Sequence, residues 1–164
     1  MRKCAFLACL SLVVLILVLG CGTPQRPGGA PQSPKSPTPV LVSQTRNVVN
    51  ATITVSPGKH YDIPFSVDVN AMRNVRVAGS FRASGGSGND IIAIIMDDMA
   101  YINWVNGHKV SVLYSSGKIT VADMNVAITA SGKYHLVFSN NFSIFSSKDV
   151  SARVDLEWSE LRYQ

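Results

Sequence analysis

The sequence predicts an all-β domain, an antiparallel β-sandwich of about eight strands and jelly-roll-like, behind appendages that do not join its core. Three observations predict it. Apolar and polar residues alternate with a period of two through most of residues 47–164. Clusters of Gly, Pro, Ser and Asn punctuate that alternation at regular spacing. No stretch carries a long helical repeat.

The elements follow in order. Val49, Ala51, Ile53 and Val55 share one face, with Asn50, Thr52 and Thr54 between them, and Ser56-Pro57-Gly58 turns the chain. Tyr61, Ile63, Phe65, Val67 and Val69 make the next strand. Its Pro64 lacks a backbone donor, which places the strand at an edge or at a bulge. Val75, Val77, Gly79 and Phe81 alternate with Arg76, Ala78, Ser80 and Arg82, and a glycine-rich loop runs from Ser84 to Asn89. Asp90 opens the apolar run Ile91–Met96, which suits a central strand buried on both faces, and Asp97 and Asp98 close it. Met99–Asn106 reads as a helical turn and Asn106-Gly107 as the turn after it. Val110, Val112 and Tyr114 form a strand that ends at Ser115-Ser116-Gly117. The strand Ile119–Thr129 loses its phase near Asp123, which implies a bulge. Ser131-Gly132 turns into Tyr134, Leu136 and Phe138, and Val150, Ala152, Val154, Leu156 and Trp158 form the last strand.

The net charge is +5, but the excess lies outside the predicted domain. Arg2, Lys3, Arg26, Lys35 and Arg46 all precede residue 47, and beyond them ten basic side chains face ten acidic ones. A nucleic-acid footprint needs a clustered basic face on the folded part, so no nucleic-acid partner is expected. Arg26, Lys35 and Arg46 suit solubility or an anionic membrane surface. Cys4, Cys9 and Cys21 are the only cysteines, which leaves the domain without a disulfide or a thiolate metal site. An exported domain of this kind relies on its core alone.

The first residues carry an address. Met1-Arg2-Lys3 is a positive start, Ala5–Leu19 an apolar run, and Gly20-Cys21 follows, the order of parts of a secretory signal peptide. A cysteine directly after a small residue at the end of the run resembles the lipobox of bacterial lipoproteins, with Val18-Leu19 departing from its commonest residues. The resemblance implies cleavage between Gly20 and Cys21, diacylglycerol on the Cys21 thiol and acylation of the new amine. Residues 1–20 are then signal peptide and 21–46 a lipidated linker, and the chain is held in the bacterial cell envelope by its covalent lipid. Each buried methylene contributes about 0.8 kcal/mol, and two or more acyl chains anchor stably. A transmembrane helix is the competing reading, but the run falls short of the ~20 residues a span needs. Gly22 in place of Asp after the cysteine points to the outer membrane in a Gram-negative source.

Six of the eight prolines stand at 24, 27, 31, 34, 37 and 39, among Gly, Ser, Gln and Thr. Such a segment cannot bury enough apolar surface to fold and reads as an extended spacer, partly polyproline II. The sandwich domain is expected over residues 47–164.

Residues 132–143, Gly-Lys-Tyr-His-Leu-Val-Phe-Ser-Asn-Asn-Phe-Ser, resemble the last hairpin of Golgi-dynamics (GOLD) β-sandwiches. There a Gly-x-Tyr opens a strand and a Phe-x-Asn-x-aromatic-Ser loop follows. Lys148 ahead of the last strand and Asp90-Ile91 at the start of another extend the resemblance over residues 75–158. It implies a sandwich with roles in protein interaction and, in some members, lipid-associated transport. The chain lacks the cysteine pair, coiled coil and membrane helix of the cargo-receptor branch, so cargo-receptor function does not carry over.

No motif points to catalysis, and no enzyme activity is expected. His60, His108 and His135 have no metal-spaced partner. The first two fall at turns, and His135 faces outward on its strand as a structural or solvated residue. There is no Gly-x-Ser-x-Gly elbow, and a triad dispersed in sequence leaves no residue to nominate. Gly85, Gly86 and Gly88 precede a strand, not the helix that a phosphate loop needs, and read as a connector. Asn89, Asp90, Asp97 and Asp98 offer oxygen ligands for calcium but lack the alternating acidic loop, and read as turn formers. No metal is expected, and no cofactor beyond the lipid on Cys21.

Tyr101 and Trp104 fall in the longest connection. They form either a platform for a partner or a sugar, or a cap on the sandwich. Phe142, with Ile144 and Phe145, marks a second possible contact loop under the same two readings. The function expected is a non-enzymatic envelope module that binds another envelope protein or further copies of itself. A lipid- or glycan-binding module, with a groove lined by Trp104 or Tyr101, is the first alternative. An enzyme with a dispersed site is the second.

Overall fold

The alternating segments pair into two four-stranded antiparallel sheets, seen in a computed structural model that describes residues 36–164. The signal peptide, Cys21 and most of the proline-rich segment lie outside the described residues. In chain order the elements are β1 (Pro39–Val55), β2 (His60–Val67), β3 (Arg73–Ser84), β4 (Ile91–Asp97), α1 (Asp98–Val105), β5 (Tyr114–Ile119), β6 (Val121–Ala127), β7 (Gly132–Ser139) and β8 (Lys148–Tyr163). One sheet has the order β1-β8-β3-β6 and the other β2-β7-β4-β5. The chain forms an all-β sandwich of eight strands.

The alternation decides what lies between the layers. Val77, Phe81, Val154 and Leu156 point inward from the first sheet, and Ile95, Leu136 and Phe138 from the second. Phe81 and Phe138 meet edge-on across the layers, with ring centres 5.5 Å apart. Each such side chain contributes about 1.5–3 kcal/mol on burial, which is the main source of stability in a domain without cysteines. β2 is an edge strand, one of the two places that Pro64 allows. Residues 36–164 form one compact unit with a hydrophobic core between its two sheets.

The first strand starts earlier than the expected boundary at residue 47. β1 begins at Pro39, and residues 39–46 pair with the C-terminal half of β8, from Pro39↔Tyr163 to Arg46↔Leu156. Val40-Leu41-Val42 supplies strand-forming residues that the surrounding prolines masked. Pro39 stands at the first residue of an edge strand, where a missing N–H costs no ladder bond.

Two further expectations fail between β4 and β6. The chain from His108 to Leu113 is not a strand, and Ser115-Ser116-Gly117 lies inside β5 instead of ending one. The β4–β5 ladder slips between Ile92 and Ile94, and Ser116 Oγ takes over by accepting from the Ala93 N–H at 2.9 Å. No bulge occurs at Asp123, since β6 pairs evenly with β3 from Arg82↔Val121 to Arg76↔Ala127. The break in phase lies at Thr120, where the chain crosses from one sheet to the other.

Candidate functional site

α1 is short, but its ends are well made. Asp97 is its N-cap, and Asp97 Oδ1 accepts from the Ala100 N–H at 2.7 Å. Asp98 adds a negative charge to the first turn. Asn106 closes the helix with its side chain, donating from Nδ2 to the Ile102 carbonyl at 2.8 Å, and Gly107 follows with φ +81°. The helix lies on the outer face of the second sheet. Ala100, Tyr101 and Trp104 pack there against Ile92, Ile94, Met96 and Val137. This explains why Ile91–Met96 is apolar at every position: one face meets the sandwich core and the other meets α1.

His135 lies beneath the helix and is only 2% exposed. It does face outward on β7, as expected, but it is covered and it has acidic partners. Its Nδ1 lies 2.8 Å from Asp62 Oδ1 of β2, and its Nε2 lies 2.9 Å from Asp98 Oδ1 of α1. A carboxylate only accepts, so each bond is complete when the ring nitrogen facing it carries a proton. Lys133 Nζ also reaches Asp98 Oδ1 at 3.0 Å. These hydrogen bonds, from His135 first and then Lys133, hold the Asp98 carboxyl below its ordinary value. Tyr101 lies flat on the His135 ring, and burial, with the Asp62 charge behind it, pushes its phenol up. His60, at the start of β2, sits edge-on to Trp104 at 5.0 Å. Its Nε2 is 3.4 Å from the Tyr101 hydroxyl.

Tyr101 and Trp104 thus cap the sheet, and the outward side of α1 belongs to residues that the sequence reading did not single out. Met99, Ile102 and Val105 recur at three-residue spacing and are all exposed, Met99 by 68%. The signal was present in Asp98–Val105 itself, because a helix apolar on both sides is ordinarily covered on both. No family model matches the chain, and no curated protein matches it.

The remaining candidates are dispersed. Asn89 and Asp90 stand before β4, while Asp97 and Asp98 stand at its far end, so the four oxygen-bearing residues do not converge. Asn89 Oδ1 instead accepts from the Gly85 N–H, and Asp90 pairs with Lys148. Among the described residues no group of three or more His, Cys, Asp and Glu side chains is placed to hold a metal ion. His108 is exposed beyond the end of α1. Phe142 is half-buried beneath Lys118, whose Nζ lies 4.2 Å from its ring centre.

Proposed function

We propose that this chain is a lipid-anchored protein of the bacterial cell envelope whose β-sandwich is a non-catalytic protein-interaction module. The observation that carries the interaction role is the outward stripe of α1, formed by Met99, Ile102 and Val105. An apolar stripe on a helix fixed to a sheet face is the form in which many partners are received. The capping bonds and the His135 contacts hold the stripe in place before any partner arrives. The anchor rests on the signal-peptide pattern and on Cys21.

Burial weighs against a glycan platform on α1 and against His135 as a catalytic base. Tyr101 and Trp104 pack down on the sheet, which takes their faces away from a sugar. Both nitrogens of His135 are engaged by carboxylates, which leaves neither free to act as a base.

Two substitutions test the two halves of the proposal. Cys21→Ser is expected to move the protein from the membrane fraction to the soluble one. A photo-crosslinker in place of Met99 is expected to capture one discrete envelope protein in cells, and Ile102→Asp in the same chain to abolish the product while the fold persists. A crosslink pattern indifferent to Ile102→Asp would sink the interaction role.

A further inference from the structure

β7 and β8 are joined by residues 140–147, at the opposite end of the sandwich from the start of β1. In the β1–β8 ladder Val55 pairs with Lys148 at this end, and Pro39 with Tyr163 at the other. The loop is held shut by its own hydrogen bonds. Asn140 Nδ2 donates to the carbonyls of Val55, Ser56 and Ser146 at 3.1, 3.3 and 2.9 Å. Ser143 Oγ donates to the Ser146 carbonyl at 2.9 Å and accepts from the Ser146 N–H at 3.2 Å. The Gly58 N–H donates to the Ser143 carbonyl at 2.9 Å. On this fixed frame Ile144 is 78% exposed and Phe145 90%. A slack loop could fold such side chains away, whereas this one holds them out.

A cavity of about 200 Å³ opens beside that tip, with Asp90, Lys118, Phe142, Ser143, Ser146 and Lys148 in its wall. The Lys148 side chain is only 4% exposed. Its ammonium donates to the Gly85 carbonyl at 2.8 Å and to Asp90 Oδ1 at 3.0 Å. An ammonium has three donors, so the third has no partner among the described residues. Lys118 Nζ stands at the rim, 3.6 Å from Asp90 Oδ2. Two cations against one carboxylate leave the pocket positive, and Lys59 is exposed on the neighbouring turn. Gly86 keeps the wall close, since a Cβ there would come within 2.8 Å of the Ser146 side chain.

We propose that this end of the sandwich docks on an anionic phospholipid bilayer, with Ile144 and Phe145 entering the interface and the Lys118–Lys148 pocket taking a lipid phosphate. An apolar tip next to a cationic pocket matches the boundary between acyl chains and headgroups. A stable protein interface buries about 800 Å² per partner, which a convex tip of two side chains does not offer, whereas a fluid bilayer closes around it. The contact is independent of Cys21 and of the stripe on α1.

The test is flotation of residues 36–164 with vesicles of mixed phosphatidylglycerol and phosphatidylcholine, and with phosphatidylcholine alone. The paired substitution Ile144→Ser and Phe145→Ser is expected to lower binding by about tenfold or more, as loss of two inserted apolar side chains requires. Its melting temperature should stay that of the parent, because both side chains are already in solvent. Lys118→Gln is expected to weaken binding to the mixed vesicles more than to phosphatidylcholine alone, where a choline cation neutralises each phosphate. A parent that does not float, or a double variant that floats equally well, overturns the proposal. So does full displacement by inorganic phosphate at constant ionic strength, which would make the pocket a site for free anions.

Discussion

The ring of Tyr101 lies parallel to the imidazole of His135, 7° from coplanar directions and 4.0 Å between centres, so that one residue of the helix covers one residue of the sheet. Two kinds of force meet at this contact. The flat face of the imidazole holds α1 through the stack and its Nε2 edge holds α1 through Asp98, while its Nδ1 edge ties β7 to β2 through Asp62. His135→Phe keeps an aromatic face for Tyr101 and loses both bonds, while His135→Ala loses the stack as well. Asp62 then loses its His135 donor, while Asp98 keeps the bond from Lys133, so His135→Phe is expected to cost about 1–2 kcal/mol. The alanine variant is expected to lose more, because a buried ring is also removed. Urea unfolding of the two variants beside the parent checks this order, and equal losses would mean that the stack contributes nothing.

Acid should loosen the same contact. Hydrogen bonds from His135 and then Lys133 hold the Asp98 carboxyl below 3.8, and a hydrogen bond from Lys148 does the same to Asp90. A carboxyl depressed in the folded state contributes stability that is fully present above its unfolded value and is lost as the pH falls through the folded one. The melting temperature is therefore expected to decline as the pH drops below 3.8. Asp98→Asn has no carboxyl to protonate and should show a shallower decline. A melting profile with an unchanged acid slope in Asp98→Asn would remove Asp98 from the account.

Glycine is demanded at one strand position by the neighbouring backbone. A Cβ on Gly79 would collide with the carbonyl oxygen of Arg153 on β8, which is backbone and cannot swing aside. Gly117 has φ +64° but opens onto empty space. Gly117→Ala is expected to cost about 1 kcal/mol from backbone conformation alone. Gly79→Ala is expected to reach the upper part of the 1–3 kcal/mol range of overpacked sites, roughly, and to perturb the β3–β8 ladder. Denaturant midpoints rank the two, and amide exchange along Val154 and its neighbours locates the damage.

What the sequence disclosed and what it hid differ by range. Alternation is a local property, so Phe81, Leu136, Phe138 and Val154 could be assigned to a buried face from their neighbours alone. Pro64 narrowed its strand to an edge or a bulge from one missing donor, and the sheet order puts it at an edge. The partnership of Asp62, Asp98 and His135 joins β2, α1 and β7, which are far apart along the chain, and no spacing rule brings them together. Only the shared outward parity of Asp62 and His135 on their strands hinted at it. Residues 39–46 were hidden for another reason. Their proline-rich surroundings read as a spacer, and the partner that orders them is the opposite end of the chain. Ile144 and Phe145 were visible as a contact loop, but their exposure depends on bonds from Asn140 to the β1–β2 turn.

Asn140 therefore offers the last prediction. It is fully buried, and the two N–H groups of its amide are shared among three carbonyls, those of Val55, Ser56 and Ser146. Asn140→Ala leaves those carbonyls short of a donor, at a cost of about 1–3 kcal/mol. Asn140→Asp is nearly the same size but replaces the donor with a charge that faces three oxygens, so it should cost more than the alanine change despite filling the site better. Size and charge are thus opposed in one pair of variants. If filling the space dominates, Asp is milder than Ala. If donation dominates, Asp is worse, and protease cleavage in residues 141–147 should appear first in that variant, because the loop can no longer be held against Val55 and Ser56.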